Sequence, residues 1–510
     1  MSIDNEVRTI AVVGAGTMGR GIAQVCATAG FQTLVYDAAA GAASRAVERI
    51  ASSLRELVQK QRINDAAATR SAALLKACNS LAELSPATFV IEAVVENLTI
   101  KQALFAELES IVSASAILTS NTSSLSITGI AAQCGNPERV AGFHFFNPPP
   151  LMRLVEVIPG LRTGGSTIES LLRLAKALGK TAITAKDSPG FVVNHAGRAL
   201  MPEALRIAAE GIATPADIDL LVRECAGFRM GPFELLDLVG ADVAHVVMEG
   251  IYKQYYEEPR YQPSAMLATR VAGGLFGRKN GQGFYSYPAT AGVRGDQRPT
   301  PANDVGNKRT SPFWVAEPQE DMSQRLARFL LEKGATLDNS APSDDAILCV
   351  APLGEDCSHA CVRLELDPTR TVAFDMLVES PKRVTVMTTP LTTQDTLDKV
   401  RLALDAAQMP GTVIKDSPGF VLQRLLAMVI NVGTRIAELG VATPEEVDLG
   451  VRLGLNYPEG PFALGDRLGP RRILRILDSM STTLRDPKYS ATAWLRRRAA
   501  LGCSLSVTAK

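Results

Sequence analysis

His144 and Glu156 are the residues whose types and spacing most suggest chemistry. They sit in GFHFFNPPPLMRLVEVI (142–158). His144 closes an apolar run, Asn147 and three prolines force a turn, and Glu156 falls in the run that returns. A strand–turn–strand of this kind can bring residues twelve apart face to face. A carboxylate beside an imidazole fixes its orientation and tautomer and favours its protonated form. Such a histidine can take the proton of an alcohol as hydride leaves the carbon. On spacing alone, a buried histidine merely satisfied by a glutamate is as good a reading. The chain has only four histidines, however. This one stands at the carboxyl end of a strand in a dinucleotide-binding pattern, where active sites gather.

That pattern begins at Gly14-Ala15-Gly16-Thr17-Met18-Gly19, a G-x-G-x-x-G with a strand before it and a helix after it. The first glycine permits a tight turn, the second lets backbone approach a pyrophosphate, and the third lets the helix pack closely on the strand. The free N–H groups and the positive end of that helix then hold the phosphates. Asp37 ends the second strand, 18 residues after Gly19. A carboxylate there accepts hydrogen bonds from the adenosine ribose and repels the extra phosphate of NADP. Ala38, Ala39 and Ala40 follow instead of an arginine, so NAD is the expected cofactor.

The elements that must position these groups read as alternating strands and helices. Strands are expected at 8–14, 31–37, 88–96, 116–122 and 139–145, with helices at 17–30, 99–112 and 126–134. Residues 41–79 read as helical without a strand. This is an α/β, Rossmann-like domain over 1–186 with helices on both faces of a parallel sheet. A helical domain follows over 187–287. Residues 288–313, rich in Pro, Gly, Asn, Asp and Arg, read as a linker. A degenerate α/β segment is expected over 314–411, with strands at 345–353, 370–377 and 382–389, and a second helical domain over 412–510.

The second helical domain repeats the first. At a constant offset of 229, residues 187–240 and 416–469 share 23 identities in 54 positions, including DSPGFV, ATP and GPF. Coincident Pro, Gly and Asp positions rule out helical low complexity. The offset places Gln423 where the first copy has Asn194. Carried further back, it places Ala373 and Thr385 at His144 and Glu156. No G-x-G-x-x-G occurs in 314–411, so one active site and one dinucleotide site per chain are expected.

Composition bounds the partners. Lys+Arg and Asp+Glu are both 53 and 46% of residues are apolar, which argues against a generally basic nucleic-acid binder. No apolar run reaches membrane-spanning length, and the amino terminus lacks a signal-peptide layout, so a cytoplasmic enzyme is expected. The eight cysteines show no disulfide framework. Cys357, His359 and Cys361 form a C-x-H-x-C cluster that reads as a loop with two thiols; no metal site is expected.

The stretch 142–158, with SNTSSLSIT (120–128), KDSPGFVVN (186–194), GPFELLDLVG (231–240) and FGRKNGQGFYSY (276–287), resembles the 3-hydroxyacyl-CoA dehydrogenase family, motif by motif and in order over 1–287. The resemblance implies reversible NAD-dependent oxidation of a (3S)-3-hydroxyacyl-CoA, with His144 as base and Glu156 as its partner. It implies that Ser123 and Asn194 hydrogen-bond the reacting oxygen. Asn147 belongs to the same turn, while Glu96, Lys101 and Asn121 contact the dinucleotide and Ser53 and Lys60 touch coenzyme A. The repeat and the tail LGLNYPEGPFALGDRLGPRRILRIL (453–477) resemble the longer bacterial members that act on 3-hydroxyadipyl-CoA in phenylacetate degradation. The alternatives are a 3-hydroxybutyryl-CoA or broader fatty acyl-CoA substrate and, from another class, a non-catalytic NAD-binding structural protein. Two departures stand out: His195 and Arg153 occupy positions where the family usually has Arg and Lys. Members with one helical domain pair through it, which implies an intrachain pseudo-dimer of the two copies here; a homo-oligomer is also open.

Overall fold

Strands of four to six residues build a first sheet. Its strands are β1 Thr9–Val13, β2 Gln32–Tyr36, β3 Leu75–Cys78, β4 Phe89–Glu92, β5 Ile117–Ser120, β6 Val140–Phe145, β7 Leu154–Pro159 and β8 Thr181–Thr184, in the order β3-β2-β1-β4-β5-β6-β7-β8. β1 to β6 run parallel, β7 turns back antiparallel to β6, and β8 runs parallel to β7. β4, β5 and β6 are buried along their whole length, as parallel strands covered on both faces must be. The sequence order reverses between β1 and β4, and the crevice at that point is where such sheets take ligands.

The computed structural model describes residues 9–287, 311–338, 341–379 and 381–508; residues 288–310 of the expected linker lie outside these. The chain divides into two units, Met1–His195 with Leu439–Leu455, and Ala196–Glu438 with Asn456–Lys510. The first unit differs from the sequence reading at two strands. Residues 41–79 contain the expected helices (Ala42–Gln59 and Asp65–Ala73) but end in β3, and β8 was also unread. Both are four-residue strands at the sheet edges, only partly buried. An edge strand needs no continuous apolar run, so it leaves no such signal.

The second unit contains β9 Phe313–Val315, β10 Ile347–Val350, β11 Thr371–Phe374, β12 Val384–Thr388 and β13 Gly411–Ile414, ordered β13-β12-β11-β10-β9. Strand order and sense repeat those of β4–β8, with β12 antiparallel to β11 and β13 parallel to β12. Among the described residues nothing stands for β1–β3. The duplication therefore reaches back into five of the eight strands of the first sheet.

Two details fix the correspondence. Thr385 pairs with Thr412 on β12–β13, and Glu156 with Ile183 on β7–β8, an offset of 229 on both. The aspartate that opens each DSPGFV motif also does the same work in both copies. Asp187 accepts from Ser126 Oγ, Ile127 N and Thr128 N at 2.8, 3.0 and 2.8 Å. Asp416 accepts from Cys357 N and Ser358 N at 2.7 and 3.1 Å, and from Ser358 Oγ. Each carboxylate thus caps the short helix after β5 or β10.

The hairpin β11–β12 is two residues tighter than β6–β7. His144 pairs with Glu156, whereas the N–H opposite Thr385 belongs to Asp375, at 3.2 Å. Ala373 pairs with Met387. The counterpart of His144 is therefore Asp375, not Ala373, because a constant offset cannot cross a shortened turn. The C-x-H-x-C cluster is likewise not a loop. It opens the helix Cys357–Leu364, whose cap is Asp356, accepting from His359 N at 2.7 Å.

In the helical part of this unit Leu200–Ala209 packs on Leu422–Glu438. Arg424 is fully buried there. It donates to Glu203 Oε1 (2.9 Å), Glu210 Oε2 (2.7 Å), Ser417 Oγ (3.1 Å) and Tyr489 Oη (3.0 Å), and Lys488 Nζ lies 2.7 Å from Glu203 Oε2. Burial raises the pKa of Glu203, but Lys488 and Arg424 outweigh it and bring it down to about 2. Among the described residues no helix is long and apolar enough to cross a membrane.

Candidate active site

The glycine loop joins β1 to the helix Thr17–Thr28. Gly14 has φ +104° and donates its N–H to Tyr36 O at 2.8 Å. A Cβ on Gly19 would lie 1.8 Å from Gly14 O, so the helix touches the loop backbone, whereas a Cβ on Gly16 would meet nothing within 4 Å. Gly16 is the N-cap, and among the described residues no side chain caps this helix. Its N–H groups are thus left for an anion, which fits a pyrophosphate. Thr17 opens the helix, and Met18 packs against the core. Asp37 follows β2 directly and turns back to the loop, accepting from Ala15 N (2.7 Å) and Ala39 N (2.8 Å).

At the ends of β4 and β5 a second polar cluster forms. Lys101 is almost completely buried and lies 2.6 Å from Glu92 Oε1 and 3.4 Å from Glu96 Oε2. Glu92, which sequence reading did not single out, also accepts from Ser120 Oγ (2.6 Å) and Val94 N (2.6 Å). Glu96 accepts from Thr122 Oγ1 (2.6 Å), Ser124 Oγ (2.7 Å) and Ser123 N (3.2 Å). Burial works against its charge, but Thr122, Lys101 and Ser124 prevail and hold its pKa below the usual carboxylate range. Asn121 Oδ1 accepts from Phe145 N at 2.7 Å, so β5 and β6 are tied together just before His144's strand ends. Ser123 follows in the same half-buried loop.

His144 and Glu156 face each other across β6 and β7, both buried, with Nδ1 and Oε2 2.7 Å apart. The other oxygen of Glu156 accepts from Val192 N and Val193 N at 3.0 Å each. The carboxylate is therefore held at both ends, and the opposite imidazole edge, Nε2, is left to act. Phe146 and Phe191 flank the ring at 4.5 and 5.8 Å. Asn194 is the residue after the Val192–Val193 clamp, in the short helix Val193–Ala196, and His195 beside it is buried.

Ser53 lies on the helix Ala42–Gln59 and lines a cleft of about 210 Å³ with Thr17, Arg20, Arg49, Asn147 and Pro149. Lys60, just past that helix, is exposed and 3.8 Å from Glu56. The structure brings Ser53 to the cleft and leaves Lys60 at the surface.

A glycine loop open to a pyrophosphate, next to a clamped histidine–carboxylate pair, defines a dinucleotide-dependent dehydrogenase. Residues 9–188 match the model of the 3-hydroxyacyl-CoA dehydrogenase NAD binding domain, and residues 190–287 and again 419–506 match the C-terminal domain of the same family. The 3-hydroxyadipyl-CoA dehydrogenase of Escherichia coli K12 is 35% identical over 97% of this chain and 98% of its own. The human mitochondrial hydroxyacyl-coenzyme A dehydrogenase is 40% identical over 55% of this chain and 91% of its own. A crystal structure described as 3-hydroxybutyryl-CoA dehydrogenase from Escherichia coli K12 superposes with a TM-score of 0.84 at 35% identity, covering 97% of this chain and 99% of that one. The chain belongs to the 3-hydroxyacyl-CoA dehydrogenase family, with its C-terminal domain duplicated. It is an NAD-dependent enzyme acting on acyl-CoA.

Proposed function

We propose that this chain oxidises the C3 hydroxyl of (3S)-3-hydroxyadipyl-CoA, in phenylacetate catabolism, with His144 as the base. The observation that carries the mechanism is the Nδ1–Oε2 contact of 2.7 Å with its second carboxylate oxygen clamped by two N–H groups. Glu156 fixes the tautomer with the proton on Nδ1, leaving Nε2 to receive the hydroxyl proton. The charged imidazole that results faces a carboxylate that cannot turn away. Ser123 and Asn194 orient the reacting oxygen. NAD, when bound, accepts the hydride. Gly14, Gly16, Thr17, Met18 and Gly19 hold its phosphates, Asp37 its ribose, and Asn121, Glu96 and Lys101 shape the nicotinamide side. Ser53 and Lys60 take the coenzyme A moiety, with Arg20 and Arg49 adding positive charge beside Ser53.

The adipyl preference is supported by the length and order of the relative that shares both copies. The structural relative of equal coverage carries the name of a four-carbon substrate, so 3-hydroxybutyryl-CoA is the competing reading. Competing the two substrates and comparing kcat/KM separates them. The account expects the adipyl substrate to be favoured at least tenfold, and equal or reversed ratios would overturn that choice.

The packing of Leu200–Ala209 on Leu422–Glu438, residues of opposite copies, supports an intrachain pseudo-dimer of the helical copies. Eight free cysteines suit the reducing cytoplasm.

A further inference from the structure

The segment Leu439–Leu455 comes from the duplicated half of the sequence but belongs to the unit that carries His144. Its contacts converge on one short stretch. Lys186 N donates to Val441 O at 2.8 Å. Glu446 caps its own helix, Pro444–Gly454, with one oxygen and accepts from Thr184 N at 2.9 Å with the other. Thr184 lies on the edge strand β8, where that N–H would otherwise be unpaired. The glycines of the helix lie against the clamp itself. A Cβ on Gly450 would come within 2.7 Å of Ile183 Cδ1 and 3.2 Å of Val192 Cγ1, and a Cβ on Gly454 within 2.8 and 2.9 Å of the two methyls of Val193.

Val192 and Val193 are the residues whose N–H groups hold Glu156. From this geometry we infer that the helix Pro444–Gly454 is a positioning element for the catalytic pair. It backs Val192–Val193 from behind and so fixes the carboxylate that orients His144, with Gly454 and Glu446 as its positioning residues. The duplicated half thereby completes an active site to which it contributes no reacting group. The second unit holds the mirror contact. Lys415 N donates to Ile212 O at 3.1 Å, each residue offset by 229 from its counterpart. A reciprocal pair of this kind is the signature of a two-fold exchange between copies.

The inference rests on the assignment of His144 and Glu156 above, and its test separates the two. Ile183 can swing its terminal methyl away, but branched Val193 cannot, so Gly454 is the sharper probe. The experiment compares the full chain with Gly454→Ala, Val193→Ala and the double variant, reading kcat and KM separately from NADH formation, with circular dichroism and Tm as folding controls. Gly454→Ala is expected to lower kcat about tenfold or more at unchanged KM for NAD. The double variant, which removes the offending methyls, should return to within about threefold of Val193→Ala. Should Gly454→Ala unfold, Glu446→Ala against Glu446→Gln serves instead. The glutamine keeps an acceptor for Thr184 N and should restore the kcat that alanine lowers. Wild-type kcat in folded Gly454→Ala or in Glu446→Ala would overturn the inference. His144→Ala in the same assay reports on the reading beneath it: an active His144→Ala sinks that reading, whereas an inactive one beside a normal Gly454→Ala sinks only the role of the helix.

Discussion

Asp375 is the second copy's counterpart of the proposed base His144. It is only 7% exposed. Gln423, the counterpart of Asn194, donates to its Oδ1 at 3.1 Å, while Oδ2 has no partner among the described residues. Burial pushes its pKa up to about 6. A raised carboxyl pKa means the folded chain holds a proton that the unfolded chain gives up between pH 4 and 6, so stability falls as pH rises through that window. Asp375→Asn should remove this loss and stabilise the protein at pH 7 by up to about 3 kcal/mol, read from denaturant unfolding at pH 4 and 7. An unchanged pH dependence would contradict it. Of the first site, His144, Glu156 and the glycine loop were legible because they lie in short motifs whose backbone is dictated locally. Glu92 was not, since a buried glutamate inside an apolar strand announces neither its lysine nor its serine until the helix that carries Lys101 folds over it. Asp375 was hidden by a turn two residues shorter than its counterpart.

At the scale of elements, the long central strands and the helices between them could be read from period and composition alone. The edge strands β3 and β8 could not, nor could the exchange of Leu439–Leu455, which depends on three-dimensional packing between segments more than 250 residues apart. The repeat contained the clue, but a repeat does not say which copy a helix will lie against. The contact between the helix Thr17–Thr28 and the loop before it makes its own prediction. Gly19→Ala places a methyl on Gly14 O, a backbone atom that cannot yield. The helix must move off the strand and its N–H groups off the phosphates. NAD affinity, measured by fluorescence titration, is expected to fall at least tenfold, and Tm to drop. Unaltered affinity would mean that the close approach is not what the site requires.

Across the whole molecule the two sequence copies are joined by charge as well as by apolar contact. Glu203 comes from the first copy, and Arg424 and Lys488 from the second. Because the folded-state pKa of Glu203 is depressed to about 2, its contribution is complete above pH 5 and is lost as pH falls toward 2. Glu203→Gln leaves two buried cations short of a counter-charge and should cost about 3–5 kcal/mol at pH 7. It should also flatten the acid dependence of unfolding; a loss under 1 kcal/mol would show that the network is not what binds the copies. The central proposal is that His144 is the base, and the most direct test is a rate. NADH formation from a (3S)-3-hydroxyacyl-CoA should fall by a factor of about 10²–10⁴ in His144→Ala, while titration shows NAD bound as tightly as in the wild type. Turnover at the wild-type rate in that variant would contradict the account.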